Sequence, residues 1–163
     1  MTAASLPIHA ATTTFIASLS SAGEAIATSM ATGFATVSFD DKSNEVSVQM
    51  SFSGLASDKP SGHIHCCTGV ANTGNAGIAL FFNTLPAFTA GNYKDSFKLE
   101  TPAFNTLLTG VSAGKAYVNV HTPGTYASGE IRGFLAPIPE PETYALMLAG
   151  LGVVAWAARR RSV

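Results

Sequence analysis

Gly33-Phe34-Ala35-Thr36-Val37-Ser38-Phe39, the turn Asp40-Asp41-Lys42-Ser43-Asn44, and then Val46-Ser47-Val48-Gln49-Met50-Ser51-Phe52-Ser53 form the stretch that decides the fold class. Side chains of a strand alternate between two faces. Ala35, Val37 and Phe39 therefore share one face of the first segment, and Val46, Val48, Met50 and Phe52 share one face of the second. Serines and Gln49 fill the other face of the second segment. An apolar face opposite a polar one, with a charged turn between, predicts an antiparallel hairpin buried on one side and wet on the other.

Outward from this hairpin the same grammar repeats. Thr12 to Ser18 is β-prone around Phe15, and Gly54 to Ser61 is a loop leading into a strand at His63. Thr68 to Gly77 is rich in Gly and Asn and predicts a long loop. Ile78–Phe82, Tyr93–Leu99, Lys115–His121 and Gly129–Leu135 supply further strands. One helix is predicted, over Pro102–Thr109: Pro102 suits the first turn, Phe104, Leu107 and Leu108 make one stripe, and Gly110 suits the stop. About eight short strands separated by Gly, Pro and Asn turns predict an all-β, antiparallel sandwich or barrel.

With 163 residues, net charge −1 and only 12% charged residues, the chain lacks the concentrated basic footprint that nucleic-acid binding needs. Ser, Thr, Ala, Gly and Asn fill its polar positions, a composition common on exported proteins. No nucleophile-elbow motif and no phosphate-cradling glycine motif occurs, so no catalytic residue is assigned.

The chemistry concentrates in Gly62-His63-Ile64-His65-Cys66-Cys67. On a strand His63 and His65 point the same way, with Ile64 opposite. Tyr117-Val118-Asn119-Val120-His121 offers a third imidazole. Imidazoles followed at once by two thiols are borderline-soft ligands suited to Cu or Zn. His63, His65 and His121, joined by Cys66 or Cys67, are thus the candidate metal ligands. The alternative is a hydrogen-bonded seam tying two strands together, with Asn119 and Thr122 as partners, and residue types alone favour that plainer reading.

Adjacent cysteines leave three states open: thiolates on a metal, a bridge between neighbours, or two half-buried thiols. A bridge would join Cα atoms about 3.8 Å apart where ordinary disulfides span roughly 5.5–6 Å. Glu130 and Arg132 are expected on one strand face, pairing across to a neighbouring strand rather than catalysing.

Composition changes at Pro137. Ile138-Pro139-Glu140-Pro141-Glu142 is a proline-stiffened linker, followed by an uncharged run from Tyr144 to Ala158 and then Arg159-Arg160-Arg161. A helix over those 15 residues would span about 22 Å, short of a hydrocarbon core of about 30 Å. Tyr144 and Trp156 near its ends and the arginines after it are membrane features, and the arginines would stay cytoplasmic. Residues 1–11 have neither a basic n-region nor a long apolar h-region, yet Ile8 and Ala10 suit the −3 and −1 positions of a cleavage site. They are expected to be a leader remnant, with the true start upstream.

Two resemblances follow. Pro139-Glu140-Pro141, the apolar run containing Leu146-Met147-Leu148-Ala149-Gly150-Leu151-Gly152, and Arg159-Arg160-Arg161 closely resemble the PEP-CTERM sorting signal of Gram-negative bacteria. That resemblance implies recognition and processing near Pro-Glu-Pro by an exosortase, a membrane cysteine transpeptidase, with release or attachment at the cell surface, often in bacteria that make exopolysaccharide. Thr13-Thr14-Phe15-Ile16-Ala17-Ser18-Leu19, Phe52-Ser53-Gly54-Leu55, Gly62-His63-Ile64-His65, Tyr117-Val118-Asn119-Val120-His121-Thr122 and Gly129-Glu130-Ile131-Arg132-Gly133 resemble the CHRD family, named for repeats in chordin. This resemblance implies an Ig-like β-sandwich outside the cell with no established catalysis. The His-x-His strand and the later Val-His are also similar to metal strands of copper/zinc superoxide dismutase, over short segments and without its full ligand set.

The expectation is therefore an all-β, antiparallel Ig-like or dismutase-like sandwich with one short helix, followed by a C-terminal hydrophobic helix. Its parts are a leader at 1–11, the domain at 12–136 and the sorting signal at 137–163. The expected function is non-enzymatic binding or scaffolding in the cell envelope or exopolysaccharide matrix. The alternative is a Cu/Zn metalloprotein with dismutase-like or redox activity. Expected partners are an exosortase, the membrane through residues 144–158 before processing, and exopolysaccharide or other envelope proteins.

Overall fold

The computed structural model describes residues 12–138 and 148–151. The leader at 1–11, the sorting residues Pro139, Glu140, Pro141 and Arg159–Arg161, and most of the expected apolar helix lie outside them. Among the described residues no helix is long and apolar enough to cross a membrane.

The strands are β1 (Thr12–Ser20), β2 (Thr32–Asp40), β3 (Glu45–Ser53), β4 (Ser61–Cys66), β5 (Ile78–Phe81), β6 (Gly91–Lys98), β7 (Ala116–His121), β8 (Ile131–Phe134) and β9 (Ala136–Pro137), and helix α1 covers Thr101–Ser112. The opening hairpin is β2–β3, with Val37 opposite Val48 and Phe39 opposite Val46. All four of those side chains are buried, as the alternation predicts. Each fully buried Val or Phe contributes about 1.5–3 kcal/mol relative to exposure.

The nine strands form one antiparallel sheet in the order β5-β4-β7-β8-β1-β2-β3-β6, with β9 paired to β1. A sandwich would hold two separate sheets. Here the halves are joined where Ser20 of β1 meets Arg132 of β8, and the sheet curls into a half-barrel around one core. Inward residues from both halves, such as Phe15, Val37, Val48, Ile64, Val118 and Ile131, belong to the same buried cluster.

Helix α1 closes that cluster with Phe104, Leu107 and Val111. Phe39 links it to the sheet, edge-on to both Phe15 and Phe104 at 5.7 Å, a geometry worth about 0.5–1.5 kcal/mol per pair beyond burial. The helix runs past the expected stop at Gly110. Its terminator is Gly114, whose φ of +68° places it in the left-handed region that favours glycine after a helix.

Glu130 holds three loops together. It immediately precedes β8 and is fully buried. Its carboxylate accepts hydrogen bonds from Ser29 Oγ at 2.7 Å, from the Ala56 amide at 2.9 Å, and from Thr122 Oγ1. Those donors come from the β1–β2, β3–β4 and β7–β8 connections, which places the loops that flank the site below.

Candidate metal centre

Strands β4 and β7 pair antiparallel, with His63 opposite Asn119, His65 opposite Tyr117 and Ser61 opposite His121. Ile64, Val118 and Val120 face the core and are fully buried. His63, His65 and His121 therefore stand on the outer face. His121 lies diagonal to His63, a neighbour relation within reach of large side chains. The His63 ring meets His121 at 5.0 Å and His65 at 5.8 Å between centroids. One nitrogen from each of the three rings lies within 4.8 Å of the other two.

Two carbonyls fix how the rings present themselves. Nδ1–H of His65 donates to Ala76 O at 2.9 Å, and Nδ1–H of His121 donates to Ala127 O at 3.1 Å. A carbonyl only accepts, so Nδ1 carries a proton, and in the neutral tautomer each ring would offer a bare Nε2. Those two Nε2 atoms and His63 Nδ1 are buried with no hydrogen-bond partner among the described residues. This is the arrangement of metal-ligating histidines, whose second nitrogen is held by a carbonyl or carboxylate. The hydrogen-bonded seam expected as the alternative needs Asn119 and Thr122 as partners. Thr122 instead serves Glu130, and Asn119 Oδ1 is itself without a partner.

Neighbouring groups lock the rings. His65 stacks on Tyr117 at 4.8 Å with planes 1° apart, and His63 sits edge-on to Phe81 at 4.9 Å. Burial, with His121 and His65 nearby, holds His63 down at about 4, and burial also lowers His121. Both rings are thus uncharged at neutral pH, the state a metal requires.

These shifts set a pH dependence. Free histidine takes its proton near 6.5, so as pH falls below that value the unfolded chain binds protons that folded His63 refuses. Stability of the metal-free protein is therefore complete above pH 6.5 and declines as pH falls towards 4. Urea melts across that window check this, and the decline shrinks in His63→Phe.

Cys66 and Cys67 are not brought to the imidazoles. Their sulfurs are bonded to each other. Cys66 follows His65 directly, so it points to the opposite face, where it packs against the core. The bridge rests on helix α1: a Cβ added at Gly110 would lie 2.3 Å from both sulfurs. Of the candidate ligands, the cluster contains the three histidines and neither thiol. Glycine is required at 110 by this close approach, which outweighs its cost inside a helix.

Gly110→Ala is accordingly expected to cost about 1–3 kcal/mol by overpacking, more than the ~1 kcal/mol alanine gains as a helix former. With Cys66 and Cys67 both changed to alanine, the same substitution becomes neutral or stabilising. Urea denaturation of the four variants measures the difference.

The residues that sequence reasoning missed are Ala76 and Ala127, which act through backbone oxygens, together with Glu24; Arg132, expected in a cross-strand pair, lies 3.9 Å from Glu24. Backbone acceptors leave no mark in side-chain identity.

The PEP-CTERM protein-sorting motif matches residues 137–161, which marks the chain for export and surface sorting in bacteria and for processing by an exosortase. No curated protein matches the chain. The CHRD domain matches residues 15–135, a span that takes in the curled sheet, the three histidines and the buried Glu130, and the chain therefore belongs to the CHRD domain family.

Proposed function

We propose that this is an exported, surface-sorted binding protein whose β-domain holds one transition-metal ion, copper or zinc, on His63, His65 and His121. The observation that carries the reading is three clustered imidazoles, one nitrogen of each within 4.8 Å of the others, with His65 and His121 each held at Nδ1 by a carbonyl and left with a buried Nε2 that has no partner among the described residues. Metal–nitrogen bonds of about 2.0–2.1 Å in tetrahedral geometry place ligand nitrogens about 3.3 Å apart. The cluster, within 4.8 Å, reaches that spacing by small side-chain closure. Three neutral imidazoles with neither thiolate nor carboxylate suit Cu and Zn over Mg or Ca. Bound copper would add a one-electron couple, whereas zinc would not.

The protein's role is binding rather than turnover, in the envelope or the matrix outside it, where exopolysaccharide and other envelope proteins are the partners within reach. Metal analysis of protein recovered from the cell surface tests the role, with copper or zinc expected near one equivalent and metal-free native protein counting against it. Superoxide consumption by the copper-loaded protein that disappears in His63→Ala would replace binding by redox chemistry.

Sorting has its own expected result. With Pro139, Glu140 and Pro141 all changed to alanine, the chain stays in the membrane fraction at full mass, whereas the unaltered chain is trimmed near residue 139 and leaves that fraction. Immunoblotting and intact-mass measurement read the outcome.

A further inference from the structure

Beside the imidazoles the loops meet over the outer face of β4, β7 and β8 and leave a cleft of about 440 Å³, within the range of small-molecule sites. Glu24, Asn75, Tyr117, Asn119 and Arg132 line it, with His65 at one wall. Its lining is mixed, and the polar side chains in it are deeply set. The side chains of Glu24 and Arg132 are 5% and 14% exposed, and Asn119 is 3% exposed.

The cleft's polar atoms are conspicuous for what they do not bond. Arg132 spends one terminal nitrogen on Asn75 Oδ1 at 2.7 Å and Gly74 O at 3.4 Å. Its Nε, Glu24 Oε1 and Asn119 Oδ1 are buried without partners among the described residues. Nε and Oε1 lie 3.9 Å apart, beyond the roughly 2.7–3.2 Å of a direct hydrogen bond. Two loop glycines allow both groups into position. A Cβ at Gly129, whose φ is +142°, would lie 2.3 Å from Glu24 Oε2, and one at Gly23 would lie 2.8 Å from Arg132 Nε.

A group seated between Arg132 Nε and Glu24 Oε1 must accept from the first and donate to the second. Carboxylates and phosphodiesters, fully ionised, have no proton to give the glutamate, and an ammonium has no lone pair for the arginine. A hydroxyl does both. Asn119 Oδ1 then takes the proton of a second hydroxyl.

We propose that this cleft binds a neutral polyhydroxylated ligand, a sugar unit, with one hydroxyl bridging Arg132 Nε and Glu24 Oε1 and another donating to Asn119 Oδ1. The cleft stands apart from the metal reading, since His65 is the only side chain the two sites share.

Saturation-transfer NMR on the full-length protein tests it, with glucose, mannose and galactose as free-sugar probes and maltotriose as the glycan probe. Cyclohexanol, acetate and ethylammonium serve as comparison ligands. At least one sugar is expected to receive saturation, from the hexoses if the cleft takes free sugar and from maltotriose alone if it takes a chain. Glu24→Ala and Arg132→Met each weaken binding at least tenfold, about the loss of one charged hydrogen bond. Zinc uptake and melting temperature in those variants report separately on the imidazoles and the fold. Glu24→Gln, which keeps the side chain's shape, weakens binding even where the other variants fold poorly. The proposal is overturned if no sugar binds in the tens of millimolar, if acetate or ethylammonium binds as well as the sugars, or if folded Glu24→Gln binds sugar unchanged.

Discussion

Glu130→Ala lowers the unfolding free energy by about 3 kcal/mol, the order expected when buried donors lose the acceptor they share. The carboxylate is fully buried and accepts from Ser29 Oγ, the Ala56 amide and Thr122 Oγ1. Hydrogen bonds to a charged group contribute roughly 1.5–3 kcal/mol each, and their loss strands buried donors. Glu130→Gln keeps one accepting oxygen and turns an NH₂ group towards donors, so it loses less than alanine while remaining clearly destabilised. Urea denaturation at neutral pH measures both. A loss below about 1 kcal/mol for alanine, the range of exposed ion pairs, would show that the three loops hold without the carboxylate.

Zinc or copper in excess raises the melting temperature of the metal-free protein, and His121→Ala abolishes the rise. A ligand that binds only the folded state stabilises by about 2.7 kcal/mol when its free concentration is 100 times Kd. In a protein of this size each kcal/mol shifts the midpoint by about 2–4 °C, so the shift amounts to several degrees. His9→Ala, in the segment ahead of β1, keeps the full shift and guards against non-specific metal binding. Calorimetry at neutral pH reads the midpoint. Equal shifts in His121→Ala and the unaltered chain would place the metal elsewhere.

Much of the fold was legible because alternation is local. The β2–β3 hairpin follows from Val37, Phe39, Val46 and Val48 standing two residues apart, and the structure buries all four. The single curled sheet was not legible. It depends on Ser20 meeting Arg132, residues far apart in sequence with no periodicity to join them. Helix α1 outran its expected stop because Gly110 serves the sulfurs packed against it, a tertiary demand that local rules do not register.

The site divides in the same way. His63 and His65 share a face by spacing alone, and that spacing also sets Cys66 on the other face, a signal that outweighs the ligand chemistry of its thiol. His121 joins them only through the β4–β7 register. Glu24 comes from the β1–β2 connection and Arg132 from β8, and the glycines at 23 and 129 that admit them carry meaning only once their neighbours are known.

We propose one metal ion per chain on three imidazoles. The most direct test loads the purified full-length protein with zinc or copper, desalts it, and measures metal per chain by mass spectrometry beside His63→Ala. The unaltered protein is predicted to retain close to one equivalent and His63→Ala almost none. Metal retained well below stoichiometry, or retained equally by His63→Ala, would contradict the claim.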